Sequence, residues 1–103
     1  MIHVVATIET VPGGRDRLLE IFQSLVPTVR AEAGCIEYGP AVDADTELAT
    51  VQARPNVVTV MEKWSGVDAL HAHLAAPHMV TFRETVEDLV TGVEIRILQP
   101  TGG

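Results

Sequence analysis

Residues Val58 to Phe82 constrain the fold more than any other part of the chain. Val58, Val60, Glu62 and Trp64 alternate with Thr59, Met61 and Lys63, which predicts a β-strand with the two sets on opposite faces. The strand runs straight into Ser65 and Gly66. Ser65 with Asp68 three residues on is a variant of the capping box, so a helix is expected to begin near Gly66. Pro77 has no N–H to offer the turn before it and ends that helix, while its fixed φ suits the first turn of another. Two short helices should therefore meet at a corner, with His73 just before it and His78 just after. The single Trp and three of the four His fall in this stretch. One wall of any reaction site is expected here.

The flanking segments complete the pattern. Ile2 to Thr10 alternates and reads as a strand, with Ile2, Val4, Ala6 and Ile8 on one face and His3, Val5, Thr7 and Glu9 on the other. Val11 to Gly14 is a turn cluster. From Arg15 to Ala33, Leu18, Phe22, Leu25, Val29 and Ala33 form a helical stripe. Pro27 inside it predicts a kink near Val26 or a break into two helices, and Gly34 is a natural residue just past the end. Cys35 to Asp45 reads as a strand in which Ile36 and Tyr38 oppose Glu37. Its Gly39-Pro40 pair requires a bulge or an edge position. Leu48 to Gln52 fits either a short strand or an ordered loop. After Pro77, Met79, Phe82, Val86 and Leu89 predict a helix ended by Gly92. Val93 to Gln99 is then a last strand and Pro100 to Gly103 a tail.

This order predicts one domain over residues 1–103, of class α+β: the ferredoxin-like split βαβ plan, with helices on one face of a four-stranded antiparallel sheet. Both faces of the first and third strands carry Val or Ile. A second subunit packed sheet to sheet would cover them, so a homodimer is expected.

Composition limits the partners. A net charge of −7 argues against nucleic acid and anionic membrane. No apolar run reaches the ~20 residues that span a bilayer. The start has no basic segment of the signal-peptide type. The single cysteine, Cys35, permits no internal disulfide, and a cytoplasmic setting is expected.

Each candidate site residue has a plainer reading beside the functional one. His73 is a candidate base or substrate hydrogen-bond partner, or else a half-buried helix histidine satisfied by a carbonyl. His78 is the other candidate base, or a solvated helix-start residue. His71 is expected to be exposed and His3 to sit at a strand end. Trp64 could stack on a flat substrate or simply fill the core. Glu62 could orient a histidine or bind a hydroxyl, or form a surface or interface salt bridge. Tyr38 could donate to a substrate oxygen or pack with its hydroxyl satisfied. Leu70, Met79 and Phe82 are candidate apolar walls. Cys35 reads as a small buried hydrophobe. His71 and His73 have the wrong phase on a helix to share an ion, and nothing matches zinc-ligand spacing, so no metal is expected. Pro12-Gly13-Gly14 matches no dinucleotide fingerprint.

Glu32-Ala-Gly-Cys35-Ile-Glu-Tyr38, Met61-Glu-Lys-Trp64, Leu70-His-Ala-His73-Leu-Ala-Ala-Pro77-His78-Met79 and the ending Ile95-Arg-Ile-Leu-Gln-Pro100 resemble the antibiotic biosynthesis monooxygenase superfamily. Within it they look most like the small bacterial quinol monooxygenases. The resemblance implies a dimeric α+β barrel and oxidation of a quinol or similar aromatic diol by O₂, with no metal, flavin or haem. Two departures matter. Thr7 stands where the haem-degrading branch carries Asn, and Val60 stands four residues before Trp64, where some polyketide-oxidising members carry Asn. The expected activity is a cofactor-independent monooxygenase whose base is His73 or His78, and replacing either by Ala is expected to lower turnover with little change in stability. The alternatives are a dimer that only binds small hydrophobic ligands, an isomerase of a small carbonyl compound and, more weakly, a haem site.

Overall fold

The computed structural model describes residues 1–102; of the expected tail, Gly103 lies outside the described residues. The chain runs β1 (Ile2–Thr10), α1 (Arg15–Arg30), β2 (Cys35–Ala41), β3 (Val57–Trp64), α2 (Val67–Ala75), α3 (Pro77–Thr85) and β4 (Val90–Leu98). The four strands form one sheet in the order β2-β3-β1-β4, and every pairing is antiparallel. This is the predicted α+β, ferredoxin-like plan, with the helices on one face.

The alternating strands supply that face. Ile2, Val4, Ala6 and Ile8 of β1 and Val58, Val60 and Trp64 of β3 are buried against Leu18, Phe22, Leu25 and Val29 of α1, Leu70 of α2 and Met79 and Phe82 of α3. Phe22 and Phe82 meet with ring centroids 4.9 Å apart. Burying one such large apolar side chain contributes roughly 1.5–3 kcal/mol, which is why the helices dock on this face.

Five places differ from the sequence-based expectations or resolve what they left open. First, the break allowed for at Pro27 does not occur, and α1 is one helix through it. The proline is exposed, and its missing N–H costs only the bond to Gln23. The helix stops at Arg30, so Ala33 is exposed rather than part of the stripe. Second, the register slips between Cys35 and Glu37. Ile36 is therefore exposed while Tyr38 is buried, and the two do not share a face. β2 is an edge strand, which tolerates Pro40. Third, Leu48 to Gln52 forms no strand, and Asp43 pins this loop by a fork to Arg54 at 2.8 and 3.1 Å. That fork holds the Asp43 carboxyl well down, at about 2. Fourth, the Ser65 side chain makes no cap. Extended Gly66 is the N-cap residue of α2, and the Ser65 N–H donates instead to the Gly34 carbonyl at 2.8 Å. Fifth, α3 ends at Thr85. Val86 and Leu89 sit in the turns that follow, which extends the apolar spacing without a helix. Gly92 lies inside β4, where the pairing with β1 slips a residue.

The uncovered sheet face is mixed, carrying Val5 and Met61 beside Lys63, Glu94 and Arg96. The more apolar exposed surface is on the helix side of β4. Val93, Ile95 and Ile97 register opposite Ile8, Ala6 and Val4, yet each remains about half exposed because no helix reaches over them.

Candidate active site

The helix corner is built by the chain around Pro77. Ala76 is extended (φ −63°, ψ 142°), the conformation favoured before proline, and Pro77 opens α3. On a continuous helix, residues five apart point roughly 140° away from each other. The break instead turns both His73 and His78 toward one carboxylate. The Nδ1 of His73 lies 2.8 Å from Oε2 of Glu32, and the Nε2 of His78 lies 2.9 Å from the same oxygen.

Glu32 comes from the turn between α1 and β2, which Gly34 positions. Gly34 has φ +82°, and a Cβ there would lie 2.5 Å from the Ser65 hydroxyl and 2.6 Å from the Ala69 Cβ. Only glycine lets this turn press against the start of α2. Gly34→Ala is expected to destabilise the fold by about 1–2 kcal/mol from the left-handed backbone alone. Crowding adds to that cost, and a denaturant melt measures the sum.

His73 is nearly inaccessible (2% exposed). Its ring is held between Trp64, with centroids 4.6 Å apart, and the edge of Tyr38, at 5.6 Å. Since a carboxylate only accepts, the Nδ1–H of His73 donates to Glu32, and the remaining lone pair of the neutral ring is on Nε2. This fixes the tautomer through the partner at the other nitrogen. Trp64 donates its indole N–H to Oε1 of Glu62 at 2.9 Å. Glu62 is thus buried beside the site and is not a surface ion pair. Burial pushes its carboxyl up, and the Trp64 N–H and His73 oppose that rise.

These groups end on a cavity of about 330 Å³ between the sheet and the helices. Ala6, Ile8 and Val60 form its sheet wall, Phe22, Met79 and Phe82 its helix wall, and Val93 and Ile95 lie at its β4 side. Tyr38, Glu62 and His73 are its inner polar groups, while exposed Arg83 and Glu87 stand at the rim. Among the described residues, no fully buried side-chain nitrogen or oxygen lacks a partner. Nε2 of His73 and the hydroxyl of Tyr38 make no protein hydrogen bond, so both open onto the cavity. Burial foremost, with nearby Glu62 and Glu32, pushes the Tyr38 hydroxyl far above the ordinary tyrosine range, so it remains a donor. An apolar chamber of this size with a few convergent polar groups suits one small, flat molecule.

Of the sequence-predicted residues, Tyr38, Glu62, His73, Met79 and Phe82 line the cavity. Trp64 and Leu70 do not: both are buried behind it, Trp64 completely. Trp64 therefore stacks on His73 instead of presenting a face to the cavity. His78 also lies outside, with its side chain 29% exposed, on the far side of Glu32. His71 is exposed, as expected. Cys35 is only partly buried, packed against the edge of the core, and burial foremost, with nearby Glu32 and Glu62, raises its thiol. Glu32, which bonds both histidines, is the member of this cluster that the sequence reading missed. Its only signal was its place in the Glu-Ala-Gly-Cys motif.

Comparison with known proteins gives a consistent result. The chain is 39% identical over 102 residues to the Escherichia coli protein named "Probable quinol monooxygenase YgiN", covering 97% of this chain and 98% of that one. Its fold is similar to that of PA3566 from Pseudomonas aeruginosa, with a TM-score of 0.80, 28% identity, and 98% and 94% of the two chains covered. It is equally similar to Rv0793 from Mycobacterium tuberculosis, with a TM-score of 0.80, 25% identity, and 99% and 96% covered. The family model for antibiotic biosynthesis monooxygenase matches residues 1–85, which include all of α1, α2, α3 and the Glu32–His73–His78 cluster. The chain belongs to the antibiotic biosynthesis monooxygenase family.

Proposed function

We propose that this protein is a cofactor-independent monooxygenase that oxidises a quinol or a similar aromatic diol with O₂. The observation that carries the reading is the unpartnered Nε2 of His73, which opens into an apolar cavity while Glu32 holds the opposite nitrogen. Ground-state O₂ reacts slowly with closed-shell molecules, but a quinolate is electron-rich enough to pass it one electron. The substrate then does a cofactor's work, and the protein must supply a base, orientation and a dry chamber.

The base is His73. His78 lies outside the cavity and acts on Glu32 instead. Moving a proton from a phenol (pKa ~10) to an imidazole (~6.5) is uphill by about 5 kcal/mol. Two groups oppose that cost. The Glu32 carboxylate lies against the imidazolium that forms, and the Tyr38 hydroxyl donates to the quinolate oxygen. Electron transfer to O₂ and recombination on the ring give a hydroperoxide. Loss of water leaves a hydroxyquinone, so one oxygen atom enters the product and the other becomes water. Isotopically labelled O₂ tests this balance. One labelled atom per product molecule supports the reading. Unlabelled quinone with hydrogen peroxide would make the protein at most an oxidase, and isomerisation of a carbonyl compound without oxygen would replace the reading altogether.

The proposed assembly is a homodimer in the cytoplasm. Its support is the exposed apolar set of Val93, Ile95 and Ile97 on β4, with Leu48 and Val51 in the loop at 86% and 76% exposure. Sedimentation equilibrium should return twice the chain mass, and Ile95→Lys should shift it toward the monomer. A wild-type monomer at micromolar concentration would contradict the assembly.

A further inference from the structure

We propose that Glu32, His73 and His78 also form a site for one divalent transition-metal ion of the zinc class, and that filling it switches off the base. The switch rests on the reading of His73 given above; the site does not.

Three ligand atoms meet here from three segments: Oε2 of Glu32, Nδ1 of His73 and Nε2 of His78, all within 4.8 Å of one another. Two imidazoles and one carboxylate form a set that suits zinc or cobalt and disfavours magnesium or calcium, which prefer all-oxygen shells. The nitrogen–oxygen separations are 2.8 and 2.9 Å. Adjacent ligands around an ion with bonds of about 2.1 Å lie roughly 3.0–3.4 Å apart, so the separations need open by only a few tenths of an ångström, while the ring nitrogens, which point at Oε2, must turn toward the ion. His78 is partly exposed and Glu32 is 15% exposed, which gives an ion a route from solvent that does not pass through the cavity. Open positions on that side can be filled by water.

The consequence for His73 follows from its two nitrogens. In the metal-free ring the proton is on Nδ1 and the lone pair on Nε2 faces the cavity. An ion on Nδ1 needs a lone pair on that nitrogen, so the Nδ1 proton must leave. The neutral ring then carries its one proton on Nε2, which becomes a donor toward the cavity and can take no proton from a quinol.

Titrating Co²⁺ into the metal-free protein and following its visible absorption tests the site. A saturable one-to-one spectrum, competed away by Zn²⁺ and weakened at least tenfold in His78→Ala, is expected. No saturable spectrum, or one unchanged in His78→Ala, overturns the site. Heteronuclear NMR of the His73 ring with Zn²⁺ tests the switch without any turnover: the proton should move from Nδ1 to Nε2. A ring still protonated at Nδ1 at saturation overturns the switch, as does faster quinol oxidation by the zinc-loaded protein. If the protein proves not to oxidise quinols, the cobalt and NMR readouts still decide the site and the tautomer.

Discussion

His73→Gln is expected to lower quinol-dependent oxygen uptake by about 10²–10⁴-fold, the usual contribution of a positioned general base. Glutamine is the informative replacement. Its amide can still donate to Glu32, and its length fills most of the space between Trp64 and Tyr38, but it accepts no proton at neutral pH. Alanine would be ambiguous. The sequence-based expectation that His73→Ala leaves stability nearly unchanged does not fit a ring that is 2% exposed and packed against two aromatics. Removing it would leave a cavity and Glu32 with His78 as its one remaining side-chain partner. The loss in His73→Gln should fall on kcat more than on KM, because the apolar walls of the cavity are untouched. Glu32→Gln should act in the same direction but less, since it leaves His73 in place and removes the counter-charge.

Trp64→Ala is expected to destabilise the protein by about 3–5 kcal/mol, the range for truncating a buried large aromatic. Trp64 is fully buried, and its indole N–H is the hydrogen-bond donor to the buried Glu62 carboxylate. Trp64→Phe separates the two contributions. It keeps most of the packing and loses the charge-assisted bond, for a cost of about 1.5–3 kcal/mol. Changing Glu62 to Leu in that background should recover part of the loss, because the penalty comes largely from a buried carboxylate without a donor. In a domain of this size each kcal/mol lowers Tm by about 4–8 °C, so a thermal melt resolves all three variants. A Trp64→Phe melt equal to wild type would show that Glu62 finds another donor.

What the sequence made legible follows from how local each signal is. The β1 and β3 alternation, the α1 stripe and the Pro77 corner each depend on neighbours within a few residues, and the fold order can be read from them. The Ile36 bulge was not legible, because it is set by the pairing of β2 with β3 and not by the strand's own pattern. The stripe through Val86 and Leu89 misplaced the end of α3 because a turn can bury the same spacing. For the site, alternation placed Glu62 and Trp64 on one face correctly but could not show that they bond to each other and leave Trp64 behind the cavity wall. The choice between His73 and His78 depended on Glu32, which is 41 and 46 residues distant in the chain. It reaches them only because Gly34 lets its turn rest on α2. No local pattern encodes that meeting.

The most direct test is dissolved-oxygen consumption by the purified, metal-free protein given a reduced naphthoquinol, with catalase present. Uptake above the spontaneous rate, proportional to protein and lost in His73→Gln while the variant melts near the wild-type temperature, is the predicted result. Uptake that His73→Gln leaves unchanged would contradict the account, because a chamber that works without its base is not the chamber described.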